Sequence, residues 1–66
     1  MPDRTACLLL RDAVFDEIKA ANDFYPSLRH KLESVKDKEL VDTIISDEKE
    51  HLQILKEIAK SVGCKT

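Results

Sequence analysis

The sequence predicts an all-α fold, an antiparallel two-helix hairpin that dimerises into a four-helix bundle. Three observations lead to this prediction. Glycine occurs once and proline twice among 66 residues, and most of the remainder are helix formers. Two long stretches repeat apolar residues at alternating steps of three and four, as packed helices do. A chain this short buries little surface alone, so a second copy or a bound metal is expected to support it.

The two helices are predicted over about residues 4–33 and 38–62, within a single domain of residues 1–66. A short polar link around residues 34–37 joins them. Pro2 and Asp3 suit the start of the first helix. The N-cap of the second helix is predicted to be Asp37. Gly63 stands where a helix C-cap is expected, and Lys60 in the last turn suits the helix dipole.

Proline 26 interrupts the first predicted helix. A proline inside a helix removes one backbone hydrogen bond and kinks the axis, at a cost of about 3 kcal/mol. Alternatively, Pro26 ends the first helix and begins a short third one. We favour the kink, because the apolar series runs straight through this position.

Each helix has one series of core-facing positions, and each series is interrupted by polar residues at mid-helix. In the first helix Glu17 is the interruption, and in the second Glu48 and His51 are adjacent in the series. An antiparallel hairpin brings these three side chains to similar height. The first series is Cys7, Leu10, Val14, Glu17, Ala21, Phe24 and Leu28, and the second is Val41, Ile44, Glu48, His51, Leu55, Ile58 and Val62.

The three polar residues predict a metal site. A carboxylate in a core is costly unless it is paired or bound to metal. Two glutamates and a histidine suit iron or manganese, with zinc also possible on ligand type alone. One chain supplies half a site, and a two-fold dimer doubles the set to four glutamates and two histidines. These carboxylates balance two divalent ions per dimer, as in di-iron helical bundles.

The sequence resembles the ferritin-like superfamily, and rubrerythrin-type di-iron helices in particular. The resemblance rests on Glu17, the 31-residue gap to Glu48, and the run DEKEHLQILKEI, and it covers roughly residues 10–60. The usual family chain carries two such hairpins and this one carries one, so it looks like a half-ferritin, similar to the encapsulated ferritins. The resemblance implies Glu17, Glu48 and His51 as iron ligands, each used twice per dimer.

The resemblance implies a ferroxidase or an oxygen- or peroxide-reducing protein that handles iron or oxidative stress. The sequence has no CxxC pair, so we expect no rubredoxin-type electron-transfer domain. The tail SVGCKT does not resemble an encapsulin-docking extension. Fe(II) and oxygen or peroxide would be the small-molecule partners. The alternative is a metal-free helical-hairpin dimer that serves as an interaction module, in which the same three residues form a structural polar cluster.

Four polar residues near the cluster are weaker candidates for a functional role at the site. The hydroxyl of Tyr25 could reach a ligand carboxylate, although such a tyrosine is more often a packing residue at the rim. Asp47 could guide iron entry, whereas Glu50 and His30 are predicted to be solvated surface residues.

Off-series apolar residues predict a homodimer or a higher homo-oligomer, because one hairpin cannot cover them all. Those on the first helix that could make a further contact between dimers are Leu8, Leu9 and Phe15.

Charge and cysteine content bound the class of protein. A net charge of −2 argues against nucleic-acid binding, which needs a clustered basic face. The opening apolar run, residues 6–10, is too short for a signal peptide or a membrane span. We therefore predict a soluble cytoplasmic protein. The hairpin brings Cys7 and Cys64 to the same end, where a disulfide is possible, but two reduced thiols are expected in that compartment.

Overall fold

The computed structural model describes residues 3–64 and is entirely helical apart from short connections within that range. Helix α1 is Arg4–Lys19, a π-helical turn follows at Ala20–Phe24, α2 is Tyr25–Lys31, and α3 is Val35–Val62. The segments from α1 to α2 form one rod, and α3 runs back along it, giving a hairpin 50 Å long and about 14 Å wide. The predicted all-α hairpin is confirmed, whereas its dimerisation stays a prediction.

Asp3 caps the first rod as predicted. Its carboxylate accepts hydrogen bonds from the backbone N–H groups of Thr5 at 2.9 Å and Ala6 at 3.2 Å. These two N–H groups lack partners within the helix, so the cap stabilises the first turn. The rod ends at Lys31, two residues before the predicted end.

The π-helical turn resolves the question raised by Pro26. The N–H of Tyr25 donates to the carbonyl of Ala20, five residues back, instead of four. An α-helical turn would press the proline ring against the carbonyl of residue 22. The wider turn moves that carbonyl away, so the helix continues without a break. The one-residue insertion also rotates everything that follows.

This rotation makes part of the predicted core series wrong. Phe24 is 64% exposed and Leu28 is 39% exposed, whereas Tyr25 is half-buried against the hairpin. A series counted at α-helical spacing is displaced by one position beyond the inserted residue. Before the π turn the series holds, and within the turn Ala21 is still buried.

The second helix begins earlier than predicted, because Ser34 and not Asp37 is its N-cap. The Ser34 hydroxyl accepts a hydrogen bond from the N–H of Asp37 at 3.3 Å. The link is therefore Leu32–Ser34, and Asp37 lies in the first turn of α3. At the other end Gly63 adopts φ 89°, the left-handed conformation of a helix stop, as predicted.

The hairpin has a thin core and is tied at both ends by polar or covalent links. Near the link, the guanidinium of Arg29 donates to the Asp42 carboxylate at 2.7 and 3.3 Å. At the open end Cys7 and Cys64 form a disulfide, so the expectation of two reduced thiols is wrong. Within the described residues, the buried apolar side chains are Ala21, Val41 and Ala59.

Many large apolar side chains stay exposed on the single hairpin. Leu9, Phe15 and Leu40 each show more than half of their surface. Exposed apolar side chains that form a contiguous patch mark interaction surfaces, so these residues are candidates for one. Within residues 3–64, no helix combines the length and apolar content needed to cross a bilayer.

Candidate metal centre

The hairpin brings the three predicted ligands together. Each of Glu17, Glu48 and His51 offers one ligand atom, and these atoms lie within 4.8 Å of one another. His51 Nδ1 is 3.9 Å from Glu17 Oε1. Glu48 and His51 are one helical turn apart on α3, and Glu17 faces them from α1.

The position of the link explains why the three side chains meet at one height. Glu17 lies 16 residues before Glu33, the middle of the observed link, and the midpoint of Glu48 and His51 lies about 16 residues after it. The link predicted around residues 34–37 would have left an offset of roughly four residues, about 6 Å at helical rise. The earlier start of α3 removes that offset, so the side chains need not stretch.

Glu17 is more enclosed than His51. Its side chain is 23% exposed. The Oε2 atom is buried and has no hydrogen-bond partner among the described residues. A buried carboxylate oxygen without a partner is costly, and native proteins rarely retain one without a bound group or a function. This unpaired oxygen is what a positive ion at the cluster would satisfy.

His51 lies at the open side of the cluster. Its side chain is 56% exposed, whereas Glu48 is half-buried. The imidazole therefore covers one side of the cluster and is itself accessible to solvent. Two carboxylates and one imidazole are fewer ligands than iron or manganese usually takes, so a metal held there would need further ligands.

One face of the hairpin carries this opening, and apolar side chains surround it. Ile44 and Ile58 lie seven residues either side of His51, so the three are on one face of α3. On the first rod the same face carries the small residues Ala13, in α1, and Ala20, at the start of the π-helical turn. We call these residues and their face the alanine–isoleucine face.

A groove on the opposite side of the hairpin shows which residues belong to the alanine–isoleucine face. Arg11 and Lys56 line one groove together. Residues two positions apart on a helix point about 200° apart. Ala13 and Ile58 therefore lie opposite that groove, on the same side of the hairpin as each other.

The neighbouring polar residues contribute less. Asp47, Glu50 and His30 are exposed, in agreement with surface roles for Glu50 and His30. The ring of Tyr25 packs edge-on against Phe24, with centroids 5.1 Å apart. In the described part of the chain its hydroxyl makes no hydrogen bond to a ligand carboxylate, so the packing interpretation fits it.

Sequence reasoning missed the π-helical turn that begins three residues after Glu17. Such turns occur mostly as single insertions and often lie at functional sites. Pro26 was the available signal, because a proline that does not break a helix needs a compensating distortion nearby.

The fold and the cluster define an all-helical hairpin with three converging side chains of types that can ligate a metal. Searches of family models, of curated proteins and of solved structures give no match to this chain. The chemistry of the site is therefore argued from its own residues. Two carboxylates and one imidazole, with a buried unpaired oxygen, fit iron or manganese and also accommodate zinc.

Proposed function

We propose that this chain is a di-iron carboxylate protein of the ferritin-like kind, with a metal site completed between two copies. The observation that carries the proposal is the convergence of Glu17, Glu48 and His51 within 4.8 Å. The buried, unpaired Oε2 of Glu17 supports a positive ion over a purely structural cluster.

A second copy is part of the proposal because one hairpin provides only half of a di-metal ligand set. The alanine–isoleucine face carries the open side of His51, and its small side chains allow close approach of helices. The extents of 50 Å and 14 Å give one side of the hairpin a projected area on the order of 700 Å². This is the same order as the roughly 800 Å² of accessible surface that each partner buries in a standard interface. Two copies would contribute four carboxylates and two imidazoles to two divalent ions.

The proposed activity is iron oxidation, with Fe(II) as substrate and oxygen or peroxide as oxidant. Bound iron would supply the redox chemistry. The chain's own residues would hold the ions, neutralise their charge and limit solvent access. Glu17 serves the inner side of the site and His51 the side facing the partner. Manganese or zinc are the alternatives, since these ligands do not select one metal by themselves.

A cytoplasmic location belongs to this proposal. Cytosolic disulfides are usually transient or redox-sensing. The Cys7–Cys64 disulfide would therefore have to be reversible in that compartment.

The second candidate function is a metal-free hairpin dimer that acts as an interaction module. The 3.9 Å contact between Glu17 and His51 favours it, because a polar pair in an otherwise apolar interface can fix helix register. Replacing the three cluster residues by leucine would then stabilise the protein, since buried ionic groups are often less stabilising than apolar ones.

Metal content and iron oxidation distinguish the two functions. The protein is purified without oxygen, its metal content is measured per chain, and Fe(II) is then titrated in air while ultraviolet absorbance is followed. We expect about one iron per chain, and an oxidation rate above that of free Fe(II) that is lost in Glu48→Ala. The matched control is Glu50→Ala, which removes an exposed carboxylate two residues away and should behave as wild type.

If the purified chain holds no metal and oxidises Fe(II) no faster than buffer, the di-iron proposal is wrong. A rise in stability on replacing Glu48 by leucine would then favour the interaction module.

A further inference from the structure

A cationic groove lies beside the disulfide, on the side of the hairpin opposite the alanine–isoleucine face. Its volume is about 760 Å³, and Leu10 and Val14 contribute to its apolar lining. Cys7 and Cys64 also line it, and both are half-buried, so the disulfide forms part of the groove wall. Cys7 is ten residues before Glu17, which is about 15 Å at helical rise, so the groove is separate from the candidate metal centre.

The charge of the groove is of one sign. Arg11, Lys56 and Lys60 line it, and its lining contains no acidic residue among residues 3–64. Neither lysine forms an ion pair in the described part of the chain, and Arg11 is 3.9 Å from the exposed carboxylate of Asp12. Three cations around one groove on a chain of net charge −2 create a local positive field. Such a field raises the local concentration of anions and their association rates.

The two sulfur atoms differ in their surroundings. Cys7 lies in the first turn of α1, and Arg11 follows it by one turn. The positive end of the helix dipole stabilises a thiolate at Cys7. The cations do not distinguish the two sulfurs, because Lys60 precedes Cys64 by four residues just as Arg11 follows Cys7 by four. Cys64 lies beyond the C-terminal end of α3, where the helix dipole is negative. Cys7 is therefore the better leaving group, and Cys64 is the sulfur that an incoming thiolate would attack.

We propose that this groove admits small anionic thiols, which reduce the Cys7–Cys64 disulfide. The incoming thiolate forms a bond to Cys64 Sγ, the disulfide bond breaks, and its electron pair goes to Cys7 as a thiolate. A second thiolate then attacks the small-molecule sulfur of the mixed disulfide and releases Cys64. Two small thiols are oxidised to one disulfide, and their two protons go to the two protein thiols.

The groove cations select the reductant by charge. A thiol that carries carboxylates is attracted, and a cationic thiol is repelled. This selection does not depend on the proposed metal chemistry, because none of the groove residues belongs to the metal cluster.

The test compares glutathione, an anionic thiol, with cysteamine, a cationic one, as reductants of the full oxidised chain. Appearance of protein thiols is followed by alkylation and mass spectrometry at low salt. Each rate is divided by the rate of the same thiol with a small neutral disulfide, which removes intrinsic differences in nucleophilicity. We expect the corrected ratio of glutathione to cysteamine to be about tenfold and to fall at high salt.

Matched variants locate the effect. Lys56→Gln with Lys60→Gln should bring the corrected ratio close to one. Lys31→Gln with Lys36→Gln removes the same charge from exposed positions at the other end of the hairpin and should preserve the ratio. Far-UV circular dichroism checks that both double variants keep the helical fold.

Three results would overturn the proposal. The first is two free thiols in protein purified in air without reductant. The second is a corrected ratio near one in the wild type, or an equal fall in both double variants, which would make net charge and not the groove responsible. The third is an early mixed disulfide on Cys7 instead of Cys64, which would contradict the assigned direction of attack.

Discussion

Removing the Cys7–Cys64 crosslink should cost this hairpin much of its stability. The two residues are 57 positions apart in the chain, so the bond restricts a long loop in the unfolded state. In the loop-entropy description a loop of this length corresponds to about 4 kcal/mol at 25 °C. A domain of this size is typically stable by roughly 3 to 10 kcal/mol, so the loss is comparable to the total.

The variant with both Cys7→Ser and Cys64→Ser tests this magnitude. Both side chains are half-buried at the open end of the hairpin, so serine leaves no large cavity there. Urea unfolding is followed by circular dichroism at 222 nm, at the same chain concentration for wild type and variant. We expect the free energy of unfolding to fall by about 4 kcal/mol per chain. Wild-type protein in reductant should reproduce the change.

A small effect would refute this account. If the variant loses less than about 1 kcal/mol, the unfolded chain already holds its ends together, and loop entropy does not describe the contribution of the bond. A concentration series then separates this explanation from support by a second copy. Support by a partner makes the unfolding midpoint rise with chain concentration, whereas residual structure in the unfolded chain does not.

Three further predictions concern the cap, the π turn and the alanine–isoleucine face. Ser34→Ala should lower the free energy of unfolding by about 1 kcal/mol in a urea titration, because the first turn of α3 loses its side-chain acceptor, whereas Lys36→Ala should have little effect. Pro26→Ala should let the π turn close into an α-helical one. The Phe24 ring would then rotate toward α3, and nuclear Overhauser contacts between the ring and α3 would detect this. If these contacts are absent, packing and not the proline holds the turn open. Ile58→Asp should give a helical monomer by analytical ultracentrifugation, because a carboxylate would be buried in the proposed interface. The control is Leu8→Asp, at a residue of similar exposure in the single chain, which should leave the proposed dimer intact.

The helices and the polar cluster were readable because they depend on local and periodic signals. The cap at Asp3 and the stop at Gly63 follow from single residues with strong preferences. Glu17, Glu48 and His51 could be selected because each interrupts an otherwise apolar series. Their meeting within 4.8 Å agrees with that selection, whereas their role as metal ligands stays a prediction.

Local and periodic sequence signals do not decide where α3 starts or whether the two cysteines form a disulfide. Serine and aspartate are almost equally good N-caps, so residue preference gave no reason to place the cap at Asp37 instead of Ser34. The observed choice lets Ser34 cap the helix and places the carboxylate of Asp37 in its first turn, where the dipole favours negative charge. The cysteine pair depends on the redox poise of its compartment, which the sequence does not encode.

The π-helical turn explains why one part of the predicted core series in the first helix is right and the other part is wrong. Glu17 before the turn and Ala21 within it face α3 as counted, whereas Phe24 at the end of the turn and Leu28 after it are rotated outward. The insertion therefore separates the position of the Glu17–Glu48–His51 cluster from the packing near the link. Pro26→Ala should change which residues contact α3 beyond the turn without moving Glu17, so metal binding should persist while the contacts near Arg29 change. If that variant also lost metal binding, the π turn would have to be counted as part of the site.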